Sequence, residues 1–198
     1  MPKEEIAKTK SVSDIAQERK KERTKALTRN FEVCDLLDMR DVQTVAEHAP
    51  KITSYLLKEE KRHLLPSNFL QNQANINEKM RAYLVDWLVE LHHKFKMWTE
   101  TLFVAIGIID QYLTQVDHLT KEEFQCLGIT AFHIAGKYEE IYPPDLKTLV
   151  RVVNHVVEPH EVVEMEFRVL TTLQFDVTFP SANRFIERFA RLAQMNDK

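Results

Sequence analysis

The sequence predicts an all-α fold, a bundle of five helices between Asn77 and Phe175 wrapped around one buried helix. Three observations predict it. Apolar residues recur at helical spacing from Asn77 onward, and no alternating strand pattern competes. Capping residues and prolines cut that stretch into helix-length segments joined by short loops. Glycine is scarce: Gly107, Gly128 and Gly136 are the only three in 198 residues. They are too scattered for a dinucleotide-binding fold or a phosphate-binding loop, and too few for the turns of an all-β protein.

Residues 1–44 read as a charged peripheral arm. The run Gln17–Lys25 has no apolar face, so it is a solvated helix or a flexible segment. Its Arg19-Lys20-Lys21 cluster could be a nuclear-localisation signal, although short basic clusters are common in soluble arms. Residues 45–75 form an N-terminal helix and a connector. Val45, Ile52, Tyr55, Leu56 and Leu57 give an interrupted stripe, and Pro50 fits a first helical turn, which puts the start near Ala49. Lys61–Asn75, with Pro66 and three asparagines, is the connector.

The bundle occupies residues 76–178. Asn77 is a good N-cap for the first helix, which carries Met80, Leu84, Trp87, Leu88, Leu91 and Phe95 on one side. Thr99 is a candidate cap for the second, with Glu100 in its first turn. That helix runs through Val104, Ile108, Ile109 and Leu113, apolar nearly all round, and is the expected central one. Thr120 and Glu123 form a capping box for the third, which ends at Tyr142-Pro143-Pro144. A short helix from Asp145 to about Val153 follows. The fifth opens at Glu158-Pro159 and carries Val162, Met165, Phe167, Val169, Leu170 and Leu173. Residues 179–198 hold a further segment, Ala182–Gln194, with Phe185, Phe189 and Leu192 at helical spacing. The three glycines fall inside helices, where each costs about 1 kcal/mol against alanine, so each is expected to mark a close helix approach.

Net charge is −3, unevenly spread: residues 1–30 carry +4 and the remainder −7. An acidic folded part argues against nucleic acid as a partner. No apolar run is long enough to cross a membrane, and the start lacks the apolar stretch of a signal peptide. Two cysteines, Cys34 and Cys126, build neither a disulfide framework nor a zinc site unaided. The expected location is nucleus and cytoplasm.

No catalytic constellation emerges, so the chain is not expected to be an enzyme. His92 and His93 point about 100° apart on a helix and read as two exposed polar residues. His160-Glu161-Val162-Val163-Glu164 lacks the second histidine of a zinc-protease helix. Cys126, with His133 or His155 as a base, sits in an apolar helix and reads as inert packing. No metal and no cofactor are expected. What stands out is charge in apolar surroundings: Arg81, Asp110, Lys137, the pair Glu139-Glu140, and Glu166. A buried charge needs a partner.

Three stretches carry a resemblance. Met80–Glu90 (MRAYLVDWLVE) resembles the opening helix of the cyclin box, in its mitotic A and B types. Ile134–Pro144 (IAGKYEEIYPP) resembles the second signature of that family, and Met165–Asp176 its fifth-helix region. The resemblance covers about residues 45–195 and implies a non-catalytic subunit that binds and activates a cyclin-dependent protein kinase and recruits substrates during mitosis. It places Lys137, Glu166, Tyr138, Glu139, Phe175 and Val177 at the kinase contact, with Ile52 and Tyr55 from the preceding helix. It places Met80, Tyr83, Leu84, Trp87, Glu90 and Gln125 in a docking patch for Arg-x-Leu peptides, and pairs Arg81 with Asp110.

The chain departs from the family's pattern at several positions. Tyr83 stands where Ile is usual, Cys126 where Leu is, Gly136 where Ser is common, and Gln111-Tyr112 where Arg-Phe is. Members of the family usually carry two boxes, and by that resemblance residues 179–198 read as the start of a second one truncated after its first helix, with an expected exposed apolar face at Phe185, Phe189 and Leu192. A destruction signal is not clear: Arg62-His63-Leu64-Leu65 fits its Arg-x-x-Leu core without convincing flanks. The competing reading is a cyclin-box scaffold or transcription-related module that binds partners without activating a kinase.

Overall fold

The computed structural model describes residues 32–153 and 157–196. Arg19–Lys21 and His155 lie outside the described residues. The chain divides into two compact units. One is Leu56–Ala190; the other takes in the described residues up to Tyr55 and from Arg191 onward.

The smaller unit holds a short helix within the stretch expected to be a charged peripheral arm, α1 (Val33–Asp38). It opens with a capping box in which the Glu32 and Asp35 side chains each accept from the other's backbone N–H. Asp38 at its end pairs with Arg191 at 2.5 Å, and Thr44 Oγ1 donates to the Asp38 carbonyl at 3.0 Å. Two 3-10 turns, Val42–Thr44 and Ala46–His48, lead into α2 (Ala49–Arg62), which starts where Pro50 predicts. Ile52 and Tyr55 are exposed on α2.

The larger unit contains five successive helices: α3 (Glu78–Phe95), α4 (Thr99–Gln115), α5 (Lys121–Glu139), α6 (Leu146–Val152) and α7 (Pro159–Thr172). Helix α8 (Ala182–Asn196) follows. No strand occurs among the described residues. The most extensive contact joins α4 to α5, and both also meet α3 and α7. The core between them buries Ile108, Tyr112, Leu127, Phe132 and Val162 completely. Helix α5 buries an unbroken run from Cys126 to Phe132, so it shares the centre with α4.

Two glycines allow this approach. A Cβ on Gly128 would sit 2.6 Å from Leu84 Cδ1, and one on Gly107 would collide with the Phe179 ring. The first lets α3 lie on α5; the second seats the segment after α7 on α4.

The helix starts follow the expected caps, with one change. Asn77 Oδ1 accepts from Met80 N, Thr120 and Glu123 exchange a full capping box, and Asp145 accepts from Thr148 N. Thr99, however, is the first helical residue of α4, not its cap. The acceptor comes from across the fold. Glu140 Oε1, just past α5, takes the Trp98 N–H at 2.8 Å and the Thr101 hydroxyl at 2.5 Å. A carboxylate there also meets the positive end of the helix.

Candidate functional site

Lys137 near the end of α5 and Glu166 in the middle of α7 form an ion pair with each other. Lys137 is exposed and Glu166 half-buried. Next to Lys137, the Tyr138 hydroxyl lies 2.7 Å from Thr178 Oγ1, which ties the end of α5 to the segment after α7. Between Glu166 and Thr178 the chain makes a tight turn, with Gln174 at φ 52° and Phe175 at φ 60°. Left-handed backbone costs an L-residue about 1–2 kcal/mol. Three backbone bonds hold it: Gln174 N to Thr171 O, Phe175 N to Leu170 O and Asp176 N to Leu173 O. The outcome is an aromatic ring, Phe175, left 67% exposed on this hydrogen-bonded turn. Strain of this kind concentrates where a side chain must be presented.

Two expected members of this face are not presented. Val177 is a buried core residue, in the same apolar cluster as Leu173 and Val169. Glu139 is half-buried with Arg184 Nη2 at 3.9 Å, and burial pushes its carboxyl above the usual range. One residue was missed. Phe167, read as part of the buried stripe, is 70% exposed beside Glu166. The signal was there: Val162, Met165, Val169 and Leu173 step at helical spacing, and Phe167 lies out of phase with them.

The second surface is the outer side of α3. Tyr83 is 75% exposed, Glu90 and Gln125 are exposed, and Met80 and Trp87 are half-buried. Leu84 corrects the expectation of an open Met–Leu–Trp stripe. It is only 8% exposed, because its side chain covers Gly128 on α5. That contact falls one turn beyond Gln125, so the α3 stripe and Gln125 border the same helix junction.

Arg81 and Asp110 lock α3 to α4. The guanidinium donates twice, Nε to Oδ1 and Nη2 to Oδ2, each at 2.6 Å. The Phe69 ring lies 5.8 Å from Arg81 Cζ. The Asp110 hydrogen bond raises the Arg81 pKa further, against the opposing effect of burial. The unusual Gln111-Tyr112 pair after Asp110 also has partners. Gln111 donates to the His63 carbonyl at 2.8 Å, while buried Tyr112 meets Arg168.

Cys126 is buried, with its thiol pKa raised by that burial, and it contacts Thr130 and the Glu161 carbonyl. An open cleft of about 340 Å³ beside it is lined by Glu122, Gln125, Glu161, Glu164 and Arg168. Among the described residues no His/Cys/Asp/Glu group could hold a metal, and no described helix is long and apolar enough to cross a membrane. His92 is not the exposed residue expected: it is half-buried, with both ring nitrogens shielded. On α8, Phe189 is exposed as predicted, whereas Phe185 and Leu192 are half-buried.

The larger unit is thus a helical box with a buried Arg–Asp lock and a Lys–Glu pair at its surface. Residues 51–178 match the family model "Cyclin, N-terminal domain", and the chain belongs to the cyclin family. It is 38% identical over 159 residues to a G2/mitotic-specific cyclin-B of Dictyostelium discoideum, covering 80% of this chain and 36% of that protein. It is 35% identical over 164 residues to Cyclin-B2-4 of Arabidopsis thaliana, covering 83% and 38%. Cyclin-A1 of Mus musculus is 38% identical over 151 residues, covering 76% and 36%. The chain thus spans little more than a third of these relatives' lengths. The crystal structure of a viral cyclin from herpesvirus saimiri shares the fold, with TM-score 0.60 at 22% identity over 68% of this chain and 59% of that one.

Proposed function

We propose that this chain is a non-catalytic regulatory subunit that binds and activates a cyclin-dependent serine/threonine kinase in mitotic control. The observation that carries this reading is the Lys137–Glu166 pair, flanked by exposed Tyr138, Phe167 and Phe175. Exposed charges that already satisfy each other can exchange that partner for a kinase group without stranding a bare charge. The aromatic rings beside them supply apolar contact area. Activation follows if these contacts are made better with one kinase conformation than with the other. Ile52 and Tyr55, exposed on α2, are proposed as further kinase contacts.

The α3 surface is proposed to dock substrate peptides of Arg-x-Leu type. Glu90 offers a carboxylate for the cation, and Met80 with Trp87 an adaptable apolar surface for the leucine. Buried Leu84 serves as the floor beneath them.

The test is co-purification of the intact chain with a cyclin-dependent kinase, followed by phosphorylation of two substrates, one with an Arg-x-Leu peptide and one without. The expected result is a stable complex and stimulated activity on both. Trp87→Ala, checked for folding by circular dichroism, should impair only the substrate carrying the peptide. Binding without stimulation would replace this reading with a scaffold role.

A further inference from the structure

We infer that His63 is a proton-dependent positioning residue, and that its imidazolium pins the turn presenting Phe175. The ring follows the last residue of α2 and lies within the larger unit. Its Nδ1 is 2.9 Å from the Glu59 carbonyl oxygen, and its Nε2 is 3.3 Å from Asp176 Oδ2. A carbonyl and a carboxylate can only accept. A neutral imidazole carries one N–H, so it satisfies one of these oxygens and turns a lone pair toward the other. The imidazolium donates to both. Only the doubly protonated ring satisfies both oxygens at once.

The surroundings hold the ring in place. The Phe179 ring centroid is 6.0 Å away, and the His63 carbonyl accepts from Gln111 at 2.8 Å. The charged groups facing it are the Asp176 carboxylate and, one turn back on α2, the Glu59–Arg62 ion pair at 2.7 Å. The opposing carboxylate belongs to the residue directly after Phe175, in a turn with two consecutive left-handed residues. Fixing Asp176 from outside the turn limits how far the strained backbone can relax, and so fixes the exposed ring. Loss of the proton ends the charge attraction to Asp176 and leaves one N–H for two acceptors, so the turn is held less tightly.

The inference rests on the reading that Phe175 contacts a kinase, so the experiment has two arms. In the first, hydrogen exchange of the intact chain follows the Phe175 amide, which bonds the Leu170 carbonyl at 2.8 Å. Its protection factor should be about two- to fivefold higher at pH 6 than at pH 8, the range over which imidazoles titrate and the size an exposed ion pair gives. His63→Gln should flatten that dependence. Asp176→Asn should flatten it too, because an amide pairs with either protonation state of the ring. A flat wild-type profile, or one that survives both substitutions, overturns the inference. In the second arm, kinase affinity of wild type relative to His63→Gln should rise by a similar factor toward pH 6. A ratio that stays constant with pH, in a chain that does bind, overturns the positioning role. Absence of kinase binding at every pH defeats the functional reading instead, and the exchange arm alone then decides whether the turn is pinned.

Discussion

Arg81–Asp110 and Lys137–Glu166 are both cation–carboxylate pairs between helices of one box, yet they do opposite work. The first is bidentate, under Phe69, with the Asp110 side chain only 9% exposed. The second joins an exposed lysine to a half-buried glutamate, beside rings that point into solvent. Burial decides the difference. A desolvated charge that loses its partner has no water to replace it, whereas an exposed one does. The buried pair therefore fixes the fold, and the exposed pair is free to be traded for a partner's groups.

The sharpest way to break this contrast is Asp110→Ala. It strands the Arg81 guanidinium at the α3–α4 contact, with Asp110's two hydrogen bonds gone. The expected loss is about 3 kcal/mol, at the low end for a broken buried pair because Arg81 keeps some access to water. Urea unfolding should show a lower midpoint with an unchanged slope. A loss below about 1 kcal/mol would place this pair with the surface bridges and remove the distinction.

The exposed pair calls for a swap. Lys137→Glu with Glu166→Lys keeps an ion pair between α5 and α7 but reverses the charges offered to a partner. Stability should change by less than about 1 kcal/mol, as for surface bridges in general. Kinase binding should be abolished. Binding restored to the wild-type level by the double swap, after loss in each single mutant, would show that the pair acts only within the box.

The two pairs were not equally legible. Asp110 announced itself as a lone charge within a helix apolar nearly all round, and a buried charge requires a partner. Lys137 and Glu166 stood out by the same rule, as charges in apolar stretches, but each could equally reach solvent from a helix edge; only the motif resemblance gave them a role. The helices were legible because helical periodicity and caps at Asn77, Thr120 and Asp145 agree. Helix α1 was not. It is six residues long and its capping box uses Glu32 and Asp35 in place of the usual Ser or Thr. Leu84 was misplaced for a different reason. Its own helix puts it on the stripe of Met80 and Trp87, and only the glycine at position 128, on another helix, makes room for it to sink. Sequence period fixes a residue's phase on its helix, while its depth depends on the facing element.

The smallest expected effect comes from a third pair, Arg168–Glu123, which joins the same two helices as Lys137–Glu166 at 3.0 Å. Glu123 lies near the start of α5. Its carboxyl is held below the usual range first by the Thr120 backbone N–H and then by Arg168. A depressed carboxyl contributes stability that is fully present above its unfolded pKa and is lost as pH falls through the folded value. The groups are partly solvated, which screens the interaction to about 0.5 kcal/mol. Glu123→Gln retains an acceptor for the capping box and removes only the charge. It should lower stability by that amount at pH 7, and the difference from wild type should shrink as pH falls through the depressed titration of the wild-type carboxyl. Kinase affinity should be unchanged at pH 7, because Glu123 lies at the opposite end of α5 from Lys137 and Tyr138. Affinity lost along with the charge would mean that any bridge between α5 and α7 supports binding, and that Lys137 and Glu166 have no special claim to it.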